Sequence, residues 1–569
     1  MNKKLVGLVA LHSDKFPILG EAHGLCAIAG YLQNKFSNIE IGLYDLQIDT
    51  IDQFLHFINL EKPGLIGISV KLYTFDQLKI LYKLLKDSFS KEYQPTIVLG
   101  NAIPNFNGRY ILENYFDDII IAIGEGEIAM EGLYKYVNAS ISLNQVQNIY
   151  YKECGKIIES NKVYLDSNLI ALPDRRNTKR FADLNCEIYI EGSRGCSYGN
   201  CSICSCNNFL GANSKIDKWR ARPIDSIISD LKYIEELGIK NVTFADEDFY
   251  GFNEQGIKRI QNLCDNILKS GIRIKFRMNA CIKSIFSIND NQQIREEKIR
   301  VLKSLKEAGL AKIFLGLESS VESQLARYQK GFRLLEFKNA IEIIKQNHID
   351  YEYGIILIDP LMTFKELIES LNFIEQNNYI FDIASIYKEL RVQVGNSYIK
   401  QIEKREKELC IKMLGKFDFN SQSYQIQNFA DENIDFFVKY SGKWVAIIYK
   451  LYYLLRIFTR YDEQKNKLDS KKEISEDIFF LAIKKIRNIE FQFLKDFANR
   501  IQKQGKNNVD VKEIINNYEL QRQAIVEHFL DHIQNRYPDE TDETDEIIKE
   551  SKNYLKNSFD YLQKITNPN

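Results

Sequence analysis

The chain has 569 residues, 45% of them apolar and 27% charged, with a formal net charge of −1. This length favours about three domains, and the composition is that of a folded globular chain rather than a disordered one. A balance so close to neutral offers no global field for nucleic acid or an anionic membrane, so neither is expected as a partner.

The opening MNKKLVGLVALHSDKF sets two lysines before a short apolar run, which His12, Asp14 and Lys15 interrupt before export length. No run of about 18 apolar residues occurs, and the reading is a cytoplasmic protein whose first buried strand covers residues 5–11. Ten cysteines lack regular spacing apart from four between positions 196 and 206, which argues against a secreted disulfide scaffold. Cys26, Cys154, Cys186, Cys264, Cys281 and Cys410 are read as buried thiols without chemistry.

From residue 4 to about residue 140, the runs KLVGLVAL, IEIGLYD, GLIGISV, PTIVLG and DIIIAIG alternate with helical patterns. Such runs are strands buried on both faces, and the alternation predicts an α/β, doubly wound, Rossmann-like domain over residues 1–145. Ligands of these sheets sit beyond the carboxyl ends of the strands. The residues there are Asp45, then Ser69, Val70, Lys71 and Leu72, then residues 100–104 beginning with Gly100 and Asn101, then Gly124, Glu125, Gly126 and Glu127.

Residues 146–185 read as a link, with a small hairpin in NIYYKECGKIIES and the arginine-rich LPDRRNTKRFADLN. A second series of EIYIEG, IKNVTFAD, IRIKFRMN, AKIFLGLE, YEYGIILID and FDIASIYKEL follows over residues 186–400. About six βα units predict a partial (β/α)6 TIM-type barrel rather than a closed eight-unit one. Residues 401–569 read as helical, with aromatics at helical spacing in FFVKYSGKWVAIIYKLYYLLRIF and a solvated acidic linker in PDETDETDE. By position this region either walls the active site or mediates assembly.

The segment EGSRGCSYGNCSICSCNNFLG follows the first strand of the second series, so its cysteines lie in a loop at the barrel mouth. Converging thiolates suit zinc or an iron-sulfur cluster. A structural zinc site normally pairs two knuckles, and no second CxxC pair is present; zinc on Cys196, Cys201, Cys204 and Cys206 stays open as the alternative.

Arg194, Gly195 and Cys196, a short gap containing an aromatic residue, then Cys201 and Cys204 resemble the signature loop of the radical S-adenosylmethionine superfamily. The resemblance implies that these three cysteines hold a 4Fe-4S cluster whose open iron is chelated by S-adenosylmethionine. An electron passed to the sulfonium then gives methionine and a 5′-deoxyadenosyl radical, which abstracts hydrogen from substrate. The first gap, residues 197–200, is one residue longer than usual, and Cys206 is an additional thiol read as a neighbour of the cluster. Tyr198 and Ile203 are expected to pack around it and limit solvent access.

The same resemblance places Ala245, Asp246 and Glu247, in FADEDFYG, beside the methionine amino group, the alternative being a helix cap. Arg277 meets substrate or the cofactor carboxylate, or forms a barrel salt bridge. Glu318 matches a position that binds ribose hydroxyls, where a carboxylate's two acceptor oxygens suit a diol. Ser319 and Ser320 assist it or cap the following helix, and backbone groups of Leu357, Ile358 and Asp359 face adenine. Lys330 is similar to a lysine often found after the fourth strand, or is a solvated lysine.

A doubly wound domain before such a barrel, with GISVKLYTFDQ, VLGNAIPNF and IAIGEGE at its strand ends, is similar to the cobalamin-binding class of radical S-adenosylmethionine proteins over roughly residues 1–400. Gly100 and Asn101 would let backbone approach a large ligand, and residues 69–72 and 124–127 would line a groove for the nucleotide tail; the alternative is a domain that no longer binds cobalamin. DxHxxG is absent and His12 and His23 stand in other contexts, so cobalt is expected without a histidine ligand.

The resemblance implies methylation of an unactivated carbon in a small-molecule or peptide intermediate, with an electron donor such as flavodoxin or ferredoxin. Rearrangement, ring contraction or cyclisation is the alternative on the same two-domain plan. A non-catalytic iron-sulfur or zinc module that binds a partner is the alternative of another kind. Methylthiotransfer to RNA lacks its basic C-terminal barrel here.

Overall fold

A computed structural model of the protein describes residues 2–13, 20–206, 219–251, 254–446 and 476–536, with the helical positions 549, 553 and 557. Its first five strands are β1 (Asn2–Ala10), β2 (Glu40–Asp45), β3 (Pro63–Ser69), β4 (Thr96–Gly100) and β5 (Ile120–Ala122). They run parallel in the order β2-β1-β3-β4-β5. Every residue of β3 is buried, as a strand covered on both faces requires.

The connecting helices are α1 (His23–Lys35), α2 (Ile51–Glu61), α3 (Phe75–Ser88), α4 (Ala102–Asn114) and α5 (Gly126–Val137). α1 and α5 share one apolar core with β1, and α2, α3 and α4 share the core on the other face. Strand order reverses between β1 and β3, which opens a crevice at their carboxyl ends. The hairpin β6 (Ile149–Glu153) and β7 (Lys156–Glu159), expected within the link, pairs antiparallel with β5 and extends this sheet.

Strands β8 (Tyr189–Ile190) and β9 (Ser193–Gly195) lead into the cysteine loop, and β10 (Trp219–Ala221) pairs antiparallel with β9 so that Trp219 faces Gly195. With β11 (Asn241–Phe244), β12 (Lys275–Ala280), β13 (Leu310–Glu318) and β14 (Asp350–Ile355), β8 forms a parallel sheet in the order β14-β13-β12-β11-β8. FDIASIYKEL, read as a sixth strand, joins it only through the bridges Tyr353 to Ile383 and Ile358 to Glu389. The result is a partial barrel whose strand ends face the crevice of the first domain.

Beyond the barrel come the helix Tyr398–Leu409, the hairpin β15 (Leu414–Asp418) and β16 (Ser423–Ile426), and the long helices Glu476–Gln504 and Val511–Arg536. The hairpin is unexpected in a region read as helical. Its turn fastens to the first domain, where the Asn420 carbonyl accepts from Tyr73 N at 2.7 Å and its side chain accepts from Phe75 N. The aromatic stretch from residue 447 onward and the acidic stretch 538–546 lie outside the described residues. Among the described residues, no helix is long and apolar enough to cross a membrane.

Buried ion pairs join the two α/β domains. Arg175 pairs with Glu21 and Asp230, Arg222 also meets Asp230 at 2.9 Å, and Arg220 meets Glu125 at 2.6 Å. Each buried charge here has an opposite partner and further hydrogen bonds, the condition under which ions tolerate loss of water.

Candidate active site

The cysteine loop starts where Gly195 adopts φ 84°, a left-handed conformation that a side chain would strain. Residues 327–331 hold it from the outside. Ser202 N donates to the Tyr328 carbonyl, Ser202 Oγ to the Arg327 carbonyl, and the Tyr198 hydroxyl to the Gln329 carbonyl at 2.6 Å. The Tyr198 ring lies against Gly331, leaving no room for a Cβ.

This packing brings Lys330 beside the thiols and 4.0 Å from Glu318 Oε1. Burial acts to discharge Lys330, but Glu318, Cys201, Cys281 and Cys204 outweigh it and hold its pKa above the ordinary value. The solvated-lysine reading of Lys330 does not hold.

Burial pushes the Cys201 thiol up to about 11. Cys204 accepts hydrogen bonds from the Cys206 thiol and from Cys206 N at 3.3 Å, and these donors bring it down to about 7 against its burial. Cys206 acts here as a donor to Cys204. No three of Cys196, Cys201, Cys204 and Cys206 have sulfurs all within 4.8 Å of one another. Sulfurs on one tetrahedral zinc stand about 3.8 Å apart, given Zn–S bonds of about 2.3 Å.

Around the loop, Glu318 ends β13 at φ 64°, with Gly316 and Gly354 leaving room for its carboxylate: a Cβ on Gly316 would stand 2.9 Å from Oε1. Ser320 carries a buried hydroxyl without a hydrogen-bond partner. Glu247 is exposed at the end of β11, yet the protein around it raises its pKa by desolvation.

Asp246, Leu357, Ile358 and Asp359 are engaged within the protein rather than facing a cofactor, and Arg277 and Ser319 take the structural alternatives open to them. Burial pushes the Asp246 carboxyl up to about 7, against the donors Ser193 Oγ and Gly192 N, so Asp246 braces the base of the cysteine loop. Arg277 forms the barrel salt bridge, 3.2 Å from Glu187. Ser319 accepts from Val321 N and hydrogen-bonds Gln324, holding the turn before the next helix. Leu357 is core, and Ile358 uses both its N–H and its carbonyl to bind residues 388 and 390. The Asp359 carboxylate accepts from Gln324, Arg327, Tyr328 and Tyr398, so it is a structural hub.

Between this mouth and the crevice lies a cavity of about 800 Å³. Tyr189, Glu191, Arg194 and Ala245 border it from the barrel; Ser69, Lys71, Leu72, Gly100, Asn101 and residues 124–127 border it from the first domain. Val70 is absent from the rim because its side chain is core and its backbone binds Gly100 and Ile103. Asn101, at φ 80°, caps Ala102 N at 2.7 Å and donates to Ser69 Oγ at 2.9 Å, shaping the rim.

From the mouth a slot descends between the sheet and α1 with α5, walled by Leu8, Val98 and Ala122 on one side and Leu25, Ile28 and Met130 on the other. A Cβ on Gly67 would meet Leu8 Cδ2 at 2.7 Å and Met130 Cε at 3.4 Å. Gly100 faces nothing nearer than Ala122, at 3.8 Å, so its backbone is bare to the cavity. A wide mouth above a narrow apolar slot suits a broad planar ring with a long tail, which is the shape of cobalamin. His12 and His23 also border the cavity; burial and then Arg175 push His23 down to about 4, and neither of its ring nitrogens has a partner.

The sequence reading did not anticipate the role of Arg194. Two residues before Cys196, it reaches Glu127 and Glu191 at 2.7 Å and Glu125 at 3.4 Å, tying the cysteine loop to the first domain. Glu125 and Glu127 are therefore wall and anchor rather than ligand-facing carboxylates. Cys281, read as a buried thiol without chemistry, stands within 4.8 Å of Cys196 and lowers its pKa. A lone cysteine after a strand carries no local signal, whereas the Arg-Gly-Cys run marked Arg194 without naming its partners.

This fold and cysteine loop define a radical S-adenosylmethionine barrel behind a cobalamin-binding type of domain. Residues 190–374 match the Radical SAM superfamily and residues 15–134 match the B12 binding domain. The chain is thus a radical S-adenosylmethionine protein with an N-terminal B12-binding domain, and these domains imply a 4Fe-4S cluster, S-adenosylmethionine and cobalamin.

It is 27% identical over 405 residues to 4′-phospho-dehydrooxetanocin synthase of Priestia megaterium, a match covering 68% of this chain and 53%, about half, of that relative. Its fold is similar to that of the cobalamin-dependent S-adenosylmethionine radical enzyme OxsB, solved with aqua-cobalamin and S-adenosylmethionine bound. That similarity has a TM-score of 0.84 at 20% identity and covers 99% of this chain and 84% of OxsB. The radical S-adenosylmethionine methyltransferase TsrM from Kitasatospora setae is similar with a TM-score of 0.54 at 15% identity, over 71% of this chain and 76% of TsrM.

Proposed function

We propose that this cobalamin-dependent radical S-adenosylmethionine enzyme methylates an unactivated carbon of a small-molecule or peptide biosynthetic intermediate. The observation that carries the reading is one cavity bordered both by strand ends of the B12-binding domain and by Tyr189, Glu191, Ala245 and Arg194 of the barrel, Arg194 standing two residues before Cys196. When bound, the cluster with S-adenosylmethionine supplies a hydrogen-abstracting 5′-deoxyadenosyl radical, and cobalamin supplies a transferable methyl group.

The chain's own residues then do four things. Cys196, Cys201 and Cys204 hold the cluster, and Glu247, Glu318 and Ser320 with the backbone at Ala245 bind S-adenosylmethionine. Ser69, Lys71, Leu72, Gly100, Asn101, Gly124 and Gly126 would hold cobalamin at the cavity, with Glu125 and Glu127 anchoring the wall behind them. The apolar walls exclude water from reactive species, and the Arg194 ion pairs fix the distance between the two halves, which positions reacting groups. The electron comes from a donor such as flavodoxin or ferredoxin.

A second reading, rearrangement, ring contraction or cyclisation, is favoured by the Priestia megaterium relative's being named a synthase and not a methyltransferase. Anaerobic incubation of holoenzyme with S-adenosylmethionine and a chemical reductant separates the two. Methylation predicts S-adenosylhomocysteine from the cobalamin-loaded protein and none from cobalamin-free protein. Deoxyadenosine without S-adenosylhomocysteine under the same conditions points to rearrangement.

A further inference from the structure

The turn that follows β3 is bent at Tyr73, whose φ of 65° lies in the left-handed region that a side chain disfavours. Among the described non-glycine residues with positive φ, Tyr73 is the one aromatic residue. Lys71, Leu72, Tyr73 and Thr74 all border the cavity. Within the turn the Lys71 carbonyl accepts from Thr74 Oγ1 at 2.9 Å, and further support comes from the C-terminal region. Tyr73 N donates to the Asn420 carbonyl at 2.7 Å, while the Asn420 side chain accepts from Phe75 N at 3.3 Å and donates to Asp76 at 3.1 Å. The Arg391 guanidinium stands over the Tyr73 ring, 5.7 Å from its centre, and donates to the Ser421 carbonyl. Phe419 packs edge-to-face on Phe75 at 4.6 Å. None of Arg391, Phe419, Asn420 and Ser421 borders the cavity itself.

A strained backbone persists only where its surroundings over-determine it, and such strain gathers at segments that hold ligands. We propose that the hairpin β15–β16 is a positioning strap for cobalamin. It clamps the turn 71–74 in the left-handed form at Tyr73 that presents Lys71 and Leu72 to the cofactor, so cobalamin affinity depends on residues that do not touch it. Tyr73 is then a positioning residue for the rim. The inference rests on the reading of the cavity as the cobalamin site. The strap reaches the cluster side as well: the Gln422 carbonyl, in the hairpin turn, accepts from Val394 N at 3.0 Å, and the Val394 carbonyl accepts at 3.2 Å from Ser205 Oγ, next to Cys204. One element therefore grips both the cobalamin rim and the cysteine loop, which holds reacting groups in register.

The test is equilibrium dialysis of cluster-loaded protein against hydroxocobalamin, with iron counted in the same samples. It compares wild type, Asn420→Ala and Arg391→Met, each variant also made in a Tyr73→Gly background. N420A loses the two side-chain bonds that seat its carbonyl on Tyr73, and is expected to weaken binding about tenfold, the size of one residue's left-handed penalty. R391M loses the cation over the ring and is expected to weaken binding about threefold. Glycine adopts the turn unaided, so in the Y73G background each change is expected to alter affinity less than about twofold. A hairpin that only stabilised the fold would lower affinity by the same factor in both backgrounds. Wild-type affinity in the single variants, or equal losses in the two backgrounds, overturns the inference, and R391M decides alone if N420A does not fold. Wild-type protein that binds no cobalamin overturns the proposed function as well, which separates the two failures.

Discussion

Replacing Arg194 by Met removes the one cation shared by three buried carboxylates and keeps most of its bulk. Glu125 retains Arg220 at 2.6 Å, so the penalty falls on Glu127 and Glu191, each 2.7 Å from the lost guanidinium. Breaking a buried pair costs about 3–5 kcal/mol, because the remaining charge stays out of water. The unfolding midpoint in urea is expected to fall accordingly.

Trp219 lies opposite Gly195, beside the lesion, and the other tryptophan is Trp444 in the C-terminal region. A Trp444→Phe background therefore makes fluorescence a local reporter. Glu191 is held below the ordinary carboxylate range: its burial acts upward, but Arg194 more than offsets it. A lowered folded-state pKa contributes stability above the unfolded value, about 4.3, that is lost as pH falls through the folded one. Without Arg194 burial dominates, so the deficit of R194M is expected to be largest near neutral pH and to shrink below about pH 5. Adding Glu127→Gln to R194M is expected to recover about 1 kcal/mol or more. An R194M midpoint equal to wild type at pH 7, or no recovery in the double variant, refutes the assignment of Arg194 as the staple between domains.

Four further outcomes follow from the site. Alanine at Cys196, Cys201 or Cys204 is expected to abolish the four-iron cluster, while Cys206→Ala retains it, as iron and sulfide analysis will show. Gly67→Val narrows the slot where a Cβ already meets Leu8 and Met130; cobalamin retention after gel filtration is expected to fall at least tenfold (about 1.4 kcal/mol or more) with cluster content unchanged. Asp359→Asn is expected to lower stability by about 1–3 kcal/mol in denaturation, since Gln324, Tyr328 and Tyr398 lose a charged acceptor while Arg327 keeps Glu366. The electron paramagnetic resonance spectrum of bound cob(II)alamin is expected to lack nitrogen splitting from the protein; splitting that disappears in His23→Ala would assign a ligand to the histidine at the cavity edge.

Much of this architecture was legible because each part had a local signature. Doubly buried strands read as unbroken apolar runs, and the cysteine loop carried its own spacing. What stayed hidden depended on partners distant in the chain. Ile358 and Asp359 sit at a strand end, as ligand-binding residues do, but their polar groups are taken by residues 388–390 and by Arg327 and Tyr398, which no local pattern announces. Val70 follows a strand yet turns into the core, and Arg277 and Ser319 followed the structural alternatives of their positions. The hairpin β15–β16 was hidden by its lysine-rich and glutamate-rich surroundings, and Cys281 by the ordinariness of a single buried thiol.

The central claim is that one chamber unites a radical-generating cluster with cobalamin. Anaerobic reconstitution with iron, sulfide and hydroxocobalamin, followed by reduction in the presence of S-adenosylmethionine and chromatography of the products, tests it most directly. The account predicts a protein that retains both cluster and cobalamin through gel filtration and releases 5′-deoxyadenosine and methionine. A fully cluster-loaded protein that forms no 5′-deoxyadenosine, or one that never retains cobalamin, would contradict it.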